Sequence, residues 1–156
     1  MADRHRGLEL MAQARDIWLP KGAPSLVPLA EVLAARESAR CGDRDSATSV
    51  MRAAVDELHQ AGRLGWEVRS TDILVETLLD RGTAGDLTEA EAAIDRLANP
   101  PADGSALVEI TLLRLRALLA RARGDDVAYR DLVYRYRAMA ESLGFEGHTA
   151  WAQAMR

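Results

Sequence analysis

Three histidines and one cysteine are the side chains of this sequence best suited to ligate a metal or act as a nucleophile. His5, His59 and His148 lie far apart along the chain, and Cys41 is the only cysteine. A metal-binding helix face needs ligands spaced to point the same way, and a cysteine nucleophile needs a positioned base. The spacing supports neither kind of site, so we expect no metal site and no cofactor. A single cysteine also allows no intrachain disulfide, and we expect Cys41 to be a small core residue.

A group of carboxylates occupies one short stretch of the chain, namely Asp86, Glu89, Glu91 and Asp95. On an amphipathic helix such a group is usually the solvated face and the N-terminal cap, so we expect no general acid–base site and no catalytic residue. A phosphate-binding loop needs glycines ahead of its lysine, whereas the single lysine, Lys21, precedes Gly22. The sequence therefore predicts a protein that is not an enzyme.

One polar group has the composition of a binding surface. Arg130, Tyr134 and Arg137 are spaced 4 and 3 residues apart, which places them on one helix face, opposite the apolar stripe of the same helix. Arginine and tyrosine are favoured at binding hot spots because each buries much area and still forms hydrogen bonds. We predict a partner-binding surface here, with His148 and Trp151 as further candidates. The alternatives are a solvated face enriched in arginine by coding bias, and C-terminal packing residues.

The bulk composition describes the scaffold that positions these residues. The chain has 156 residues, of which 48% are hydrophobic and 28% charged, a globular balance that predicts one domain. The net charge of -4 argues against nucleic acid as a partner, because nucleic-acid binders need excess cations. The N-terminus lacks the apolar core of a signal peptide, and no run is long enough to span a membrane. We expect a cytoplasmic protein that does not contact a membrane.

Proline and glycine divide the sequence into an all-α pattern of about eight helices. The sequence predicts an N-terminal helix of about 4–18 with a linker, together forming 1–24, and a helix that starts at Val27 or Pro28 and ends at Cys41. Further helices are predicted at about 66–81, 105–122 and 147–156. In the single domain 1–156, the helices pair as antiparallel hairpins at 25–63, 64–99 and 103–144, and 145–156 forms a C-terminal cap.

Three Gly-Asp pairs, which begin at Gly42, Gly85 and Gly124, separate the paired helices. The residues 5, 8, 9 and 12 places after each glycine are apolar: Ala47, Val50, Met51 and Ala54, then Ala90, Ala93, Ile94 and Leu97, then Tyr129, Leu132, Val133 and Tyr136. These spacings form one buried stripe on a helix and do not suit a strand. Each glycine is expected to end a helix in the left-handed conformation, and each aspartate to cap the next helix.

This arrangement resembles the tetratricopeptide repeat, whose second helix is also introduced by Gly-Asp with a small residue five places on, as at Ala47 and Ala90. The third copy has Tyr129 there, and copy spacings of 43 and 39 residues exceed the usual ~34. The resemblance implies stacked hairpins in a degenerate tetratricopeptide-like superhelix, which is typical of protein-interaction scaffolds.

The C-terminal residues are also similar to the end of large actinobacterial regulators that join a class III adenylate-cyclase-like domain, an ATPase domain and a helical region. The similar segments are Gly124-Asp125, Tyr129-Arg130, Tyr136 to Ala140, Leu143 to His148 and Trp151-Ala152. The resemblance covers only the helical region of such proteins. It implies a regulatory tail and no cyclase activity.

Two functions follow as hypotheses. The first is a non-catalytic interaction or regulatory scaffold whose partner is another protein, a neighbouring domain or a second copy of the chain. The alternative is a small-molecule or nucleotide-responsive sensor with a pocket between hairpins. A thermal-shift screen with metabolites and nucleotides separates them, because stabilisation by such a ligand would favour the sensor.

Overall fold

The computed structural model describes residues 26–99 and 105–155, together with positions 9, 10, 13, 16 and 17. The two long ranges contain seven helices and no strand, which confirms the all-α prediction. They are α1 (Val27–Arg40), α2 (Arg44–Gln60), α3 (Leu64–Arg81), α4 (Asp86–Leu97), α5 (Ala106–Arg123), α6 (Asp126–Leu143) and α7 (Glu146–Ala154). The predicted helix at 4–18 lies mostly outside the described residues, although the five described positions in it are helical. The predicted linker and residues 100–104 lie outside them entirely.

The first and third Gly-Asp corners form as predicted. Gly42 and Gly124 adopt positive φ angles of 106° and 75°. The Oδ1 atom of Asp43 accepts the Ser46 N–H at 3.4 Å, and that of Asp125 accepts the Ala128 N–H at 3.0 Å. Glycine tolerates a left-handed backbone without strain, and the aspartate supplies an acceptor for an otherwise unpaired N–H group. Each corner therefore ends one helix and starts the next.

The second Gly-Asp corner differs from the prediction. Gly85 has a φ of -88°, and it is Gly82, three residues earlier, that takes the left-handed conformation with a φ of 69°. Asp86 does not precede the helix as a cap but is its first residue, and its side chain is buried. The longer connection between α3 and α4 allows this carboxylate to turn inward, toward Arg81 and Thr83.

The buried stripe that follows each corner is largely confirmed. All but two of the twelve predicted side chains are buried; Leu132 is half-buried, and Val50 is 43% exposed. On α2 the buried side is turned toward Thr48 and Val55, and both of these side chains are fully buried. This rotation leaves Val50 at the edge of the stripe.

The chain divides into two compact units, Met1–Thr77 and Leu78–Arg156. In the first unit α1 packs on α2, and Val32, Met51 and Leu58 are buried. The part of α3 in this unit has buried residues on nearly every side, among them Val68, Ile73 and Val75. An ion pair adds to the first unit, with Arg36 Nη2 placed 3.7 Å from Glu76 Oε2.

In the second unit α4 packs on α5, α5 on α6, and α6 on α7. Its core contains Ile110, Ala117, Ala120, Tyr129, Val133, Tyr136, Ala140, Ala152 and Met155. At one end Arg123 binds both carboxylate oxygens of Glu91, at 2.9 and 2.6 Å, and this bond joins α4 to α5. The core holds α6 by one side only, and the opposite side faces solvent.

Candidate functional site

Helix α6 carries the three residues predicted as a binding surface, and its inward side determines where they point. Tyr129, Val133, Tyr136 and Ala140 are buried in the core of the second unit. Because these residues recur every three or four positions, the residues that directly follow them lie on a neighbouring side of the helix, turned by about 100° from the core-facing side and not opposite it as predicted. That side carries Val127, Arg130, Tyr134, Arg137 and Glu141, all exposed, and is named here the outer face of α6.

Arg130 and Tyr134 lie at the middle of the outer face. Tyr134 is 74% exposed, and Arg130 donates from Nε to the carbonyl oxygen of Asp126 in its own helix at 3.0 Å. Val127, one turn before Arg130, is also 74% exposed. The outer face therefore presents two large apolar side chains with an arginine between them.

Arg137 lies at the border between the outer face and α7. Its side chain is exposed, yet Nη2 donates to the carbonyl oxygen of Ala152 at 3.3 Å, near the end of α7. A cation is favourable there because the last carbonyl groups of a helix carry partial negative charge. Arg137 thus helps to hold α7 while part of its guanidinium remains at the surface.

His148 and Trp151 belong to a different environment from the outer face. The Nδ1 atom of His148 lies 2.8 Å from the hydroxyl of the buried Tyr136, and the imidazole contacts the Trp151 ring edge-on, with centroids 5.2 Å apart. The Phe145 ring lies beside the same imidazole, with centroids 6.0 Å apart. These contacts make His148 a packing residue that joins α6 to α7.

Trp151 is expected to be buried by α7 together with Ala152 and Met155. Ala152 and Met155 are buried, but Trp151 is 40% exposed. The guanidinium carbon of Arg114 lies 4.7 Å from the Trp151 ring centroid, in the geometry of a cation–π contact. Arg114 itself is buried, on α5, and was not singled out from the sequence. In the sequence, Arg114 could have been noticed as an arginine among residues that recur at helical spacing and are otherwise apolar.

The structure therefore brings Arg130, Tyr134 and Arg137 to one face and places His148 and Trp151 in the packing between helices. Sequence reasoning missed Val127 and Glu141 as members of the outer face. Both could have been found, because they continue the same alternation of 3 and 4 residues on either side of the three predicted positions.

The predicted solvated carboxylates divide into two kinds. Asp86 is buried, and its two oxygens accept from Arg81 Nε at 3.1 Å and Nη2 at 2.5 Å, while Thr83 N–H donates to Oδ2 at 2.7 Å. The hydrogen bond from Arg81 is the main cause that lowers the pKa of Asp86 from 3.8 to about 2, and burial opposes it. Glu91 is only half-buried beside Arg123, whose hydrogen bond lowers the pKa of Glu91 as well. Asp86 is thus a structural carboxylate that is ionised at neutral pH.

Other groups suited to chemistry are separated from one another. The Nδ1 atom of His59 lies 2.7 Å from Oε1 of Glu67. The prediction of Cys41 as a small core residue is wrong: Cys41 is exposed, because it lies in the solvent-exposed corner that follows the last residue of α1. Within residues 26–99 and 105–155 no three His, Cys, Asp or Glu side chains form a group that could hold a metal ion. None of the seven helices described above is both long enough and apolar enough to cross a membrane.

Comparison with known proteins leaves the outer face of α6 as the main guide to function. The chain matches no family model, and neither a curated protein nor a solved structure matches it. The tetratricopeptide and regulator resemblances accordingly stay predictions.

Proposed function

We propose that this chain is a non-catalytic helical scaffold that binds another protein through the outer face of α6. The observation that carries the proposal is the exposure of Val127 and Tyr134, each 74% accessible, with Arg130 between them. Single exposed apolar residues are ordinary on protein surfaces, but apolar side chains aligned along one helix face with arginine are typical of an interface. Tyrosine and arginine supply much of the binding energy in such interfaces.

The rest of the second unit supports this role by holding α6 rigid. Tyr129, Val133 and Tyr136 are buried on the neighbouring side of α6, so the helix cannot turn without losing its core. The C-terminal side is held as well, by the Arg137 bond to Ala152 and by the contact between Tyr136 and His148. A surface fixed in advance binds with less loss of conformational entropy.

The finer architecture belongs to the same proposal. We infer that the hairpins stack as a degenerate tetratricopeptide-like superhelix and that the chain is a regulatory tail like the helical region of the actinobacterial regulators it resembles. The capped corners at Gly42-Asp43 and Gly124-Asp125 support the repeat. The similar residues between 124 and 152 support the regulator assignment.

A displayed peptide library tests whether the outer face of α6 binds protein. The chain is immobilised, bound peptides are selected, and their affinity is measured for the wild type, Tyr134→Ala, Arg130→Ala and Arg135→Ala. Arg135 is the matched control because it is an exposed arginine of the same helix that points away from the outer face.

The proposal predicts that Tyr134→Ala and Arg130→Ala each weaken the selected peptides by about tenfold or more, as expected for hot-spot residues. Arg135→Ala should bind them like the wild type. Circular dichroism melting checks that the variants are folded. Equal binding of the selected peptides to all four proteins, or the absence of both a selected peptide and self-association through this face, would exclude the outer face as a protein-binding surface.

A further inference from the structure

We infer that the outer face of α6 pairs in antiparallel orientation with the same face of a second copy of this chain. The inference rests on the proposed function and names its partner. Three observations carry it: the spacing of the outer-face residues, the order of their charges, and the exposure of the apolar residues among them.

The spacing of the outer face matches its own reverse. Arg130, Tyr134, Arg137 and Glu141 are separated by 4, 3 and 4 residues, and the order is the same when read from the other end. With Val127 added, the spacing between successive residues alternates between 3 and 4. This is the spacing of the residues along which two paired helices contact each other. If a second α6 runs in the opposite direction, each of these outer-face residues can therefore lie opposite an outer-face residue of the second copy.

The charges favour the antiparallel pairing over the parallel one. In the antiparallel register Arg130 lies opposite Glu141 of the second copy, and Tyr134 lies opposite its Arg137. The first pair joins opposite charges, and the second places a guanidinium against an aromatic ring. Twofold symmetry makes each pair occur twice. A parallel pairing would instead set Arg130 against Arg130 and Glu141 against Glu141, which is repulsive.

The contacts that the outer face of α6 already makes within the chain are compatible with this pairing. Arg130 donates one N–H to the carbonyl oxygen of Asp126, and Arg137 donates one N–H to the carbonyl oxygen of Ala152. A guanidinium has five N–H donors and two flat faces, so both arginines keep the capacity to bind a carboxylate or a ring. Tyr134 and Val127 would gain the cover that they lack in the single chain.

The length of the paired outer faces limits the strength of the dimer. From Arg130 to Glu141 the helix rises by only about 16 Å, at about 1.5 Å per residue. An interface of this length lies at the small end of specific protein contacts, so a weak dimer in rapid exchange with the monomer is expected. The experiment therefore has to cover high protein concentrations.

Analytical ultracentrifugation of the full chain, from about 10 μM to about 1 mM, measures this equilibrium. The variants Arg130→Glu and Glu141→Arg each place like charges opposite each other, twice per dimer, and should weaken the dimer by about tenfold or more. The double variant R130E/E141R restores opposite charges and should recover the wild-type constant. Arg135→Glu, with the same charge change outside the outer face, should leave the constant unchanged.

Disulfide trapping in a Cys41→Ser background tests the orientation. The double variant R130C/E141C should form a covalent dimer on mild oxidation, because each cysteine faces the other position in the second copy. R130C alone should not, since the two copies of position 130 lie about 16 Å apart along the axis in the antiparallel register. A covalent dimer from R130C alone would indicate the parallel arrangement and overturn the inference.

The outcomes separate this inference from the proposed function. A chain that stays monomeric at the highest concentration, yet loses selected peptides on Tyr134→Ala, overturns self-pairing and leaves the protein-binding role intact. A dimer that R130E and E141R do not weaken also overturns self-pairing, because it forms through another surface. Absence of both the dimer and the peptide binding overturns both proposals.

Discussion

At the residue scale, the ion pair between the buried Asp86 and Arg81 is expected to be sensitive to substitution. Asp86 is 1% exposed and accepts two hydrogen bonds from the guanidinium and one from the Thr83 backbone. Removing one member of a buried pair costs more than the pair contributes, because the other member is left without its partner. These bonds also fix the connection between α3 and α4.

We predict that Asp86→Asn lowers the free energy of unfolding by about 2 kcal/mol at neutral pH, from the difference between the folded and unfolded pKa values. Urea denaturation followed by circular dichroism measures it. Asp95→Asn is the matched control, since Asp95 is an exposed carboxylate of the same helix. Its effect should stay within about 0.5 kcal/mol. Equal effects of the two substitutions would contradict the structural role of Asp86.

The same pair predicts a pH dependence with a definite sign. The pKa of Asp86 is about 2 in the folded chain, below its ordinary 3.8, so its stabilising contribution is complete above about pH 5 and is lost as the pH falls toward 2. The stability difference between the wild type and Asp86→Asn should therefore narrow between about pH 5 and about pH 2.5. A difference that stays constant over this range would show that the carboxylate charge does not stabilise the fold.

The contact between Tyr136 and His148 gives a second prediction at this scale. Tyr136→Phe removes the hydroxyl that lies 2.8 Å from His148 Nδ1 and should destabilise the chain by about 1 kcal/mol. Tyr134→Phe, on the same helix but 74% exposed, should change stability little. Thermal melts of the two variants and the wild type check this. If the two variants melt alike, the buried hydroxyl contributes nothing.

At the scale of elements, the glycines at the helix corners are not equivalent although the sequence makes them look alike. Gly124 and Gly85 both precede an aspartate, but Gly124 has a φ of 75° and Gly85 a φ of -88°. An added Cβ would meet no atom within 4 Å at either glycine. Only the backbone conformation therefore distinguishes the two positions.

Gly124→Ala should cost about 1 kcal/mol, because an L-residue is strained in the left-handed region. Gly85→Ala should change stability by less than about half of that, since its φ suits any residue. Chemical denaturation of the two single variants measures the difference. Equal costs would indicate that both corners share one backbone conformation, contrary to the structure.

At the scale of the whole molecule, each of the two compact units contains at least two helices that cover each other's apolar sides. The division between the units falls inside α3, at Thr77 and Leu78. The arginines are spread over both units, and the net charge of the chain is -4. A net negative charge opposes general attraction to a phosphate backbone.

We therefore predict that the chain does not retard a double-stranded DNA fragment in a gel at about 0.15 M salt. Arg130→Glu should leave this result unchanged, because it makes the net charge of the chain more negative still. A dissociation constant below about 1 μM that weakens steeply with salt would contradict the prediction. It would also move the arginines of α5 and α6 into a nucleic-acid interface.

The sequence by itself determined which segments are helical and which side of α6 faces inward. Tyr129, Val133 and Tyr136 recur at helical spacing, and a period of three to four residues can be read without knowledge of any neighbour. The same local logic predicted the corners at Gly42 and Gly124, since the left-handed glycine and the aspartate cap both act within a few residues of their own positions.

Only the tertiary structure decided which polar residues are buried and which exposed residues have partners. Asp86 is drawn inward by the path of the connection that starts at Gly82, and Arg114 meets Trp151 across helices that are distant in sequence. Arg137, which looks equivalent to Arg130 in spacing, is distinguished by the end of α7 beside it. Such contacts depend on where a second helix lies, and helical periodicity carries no information about that position.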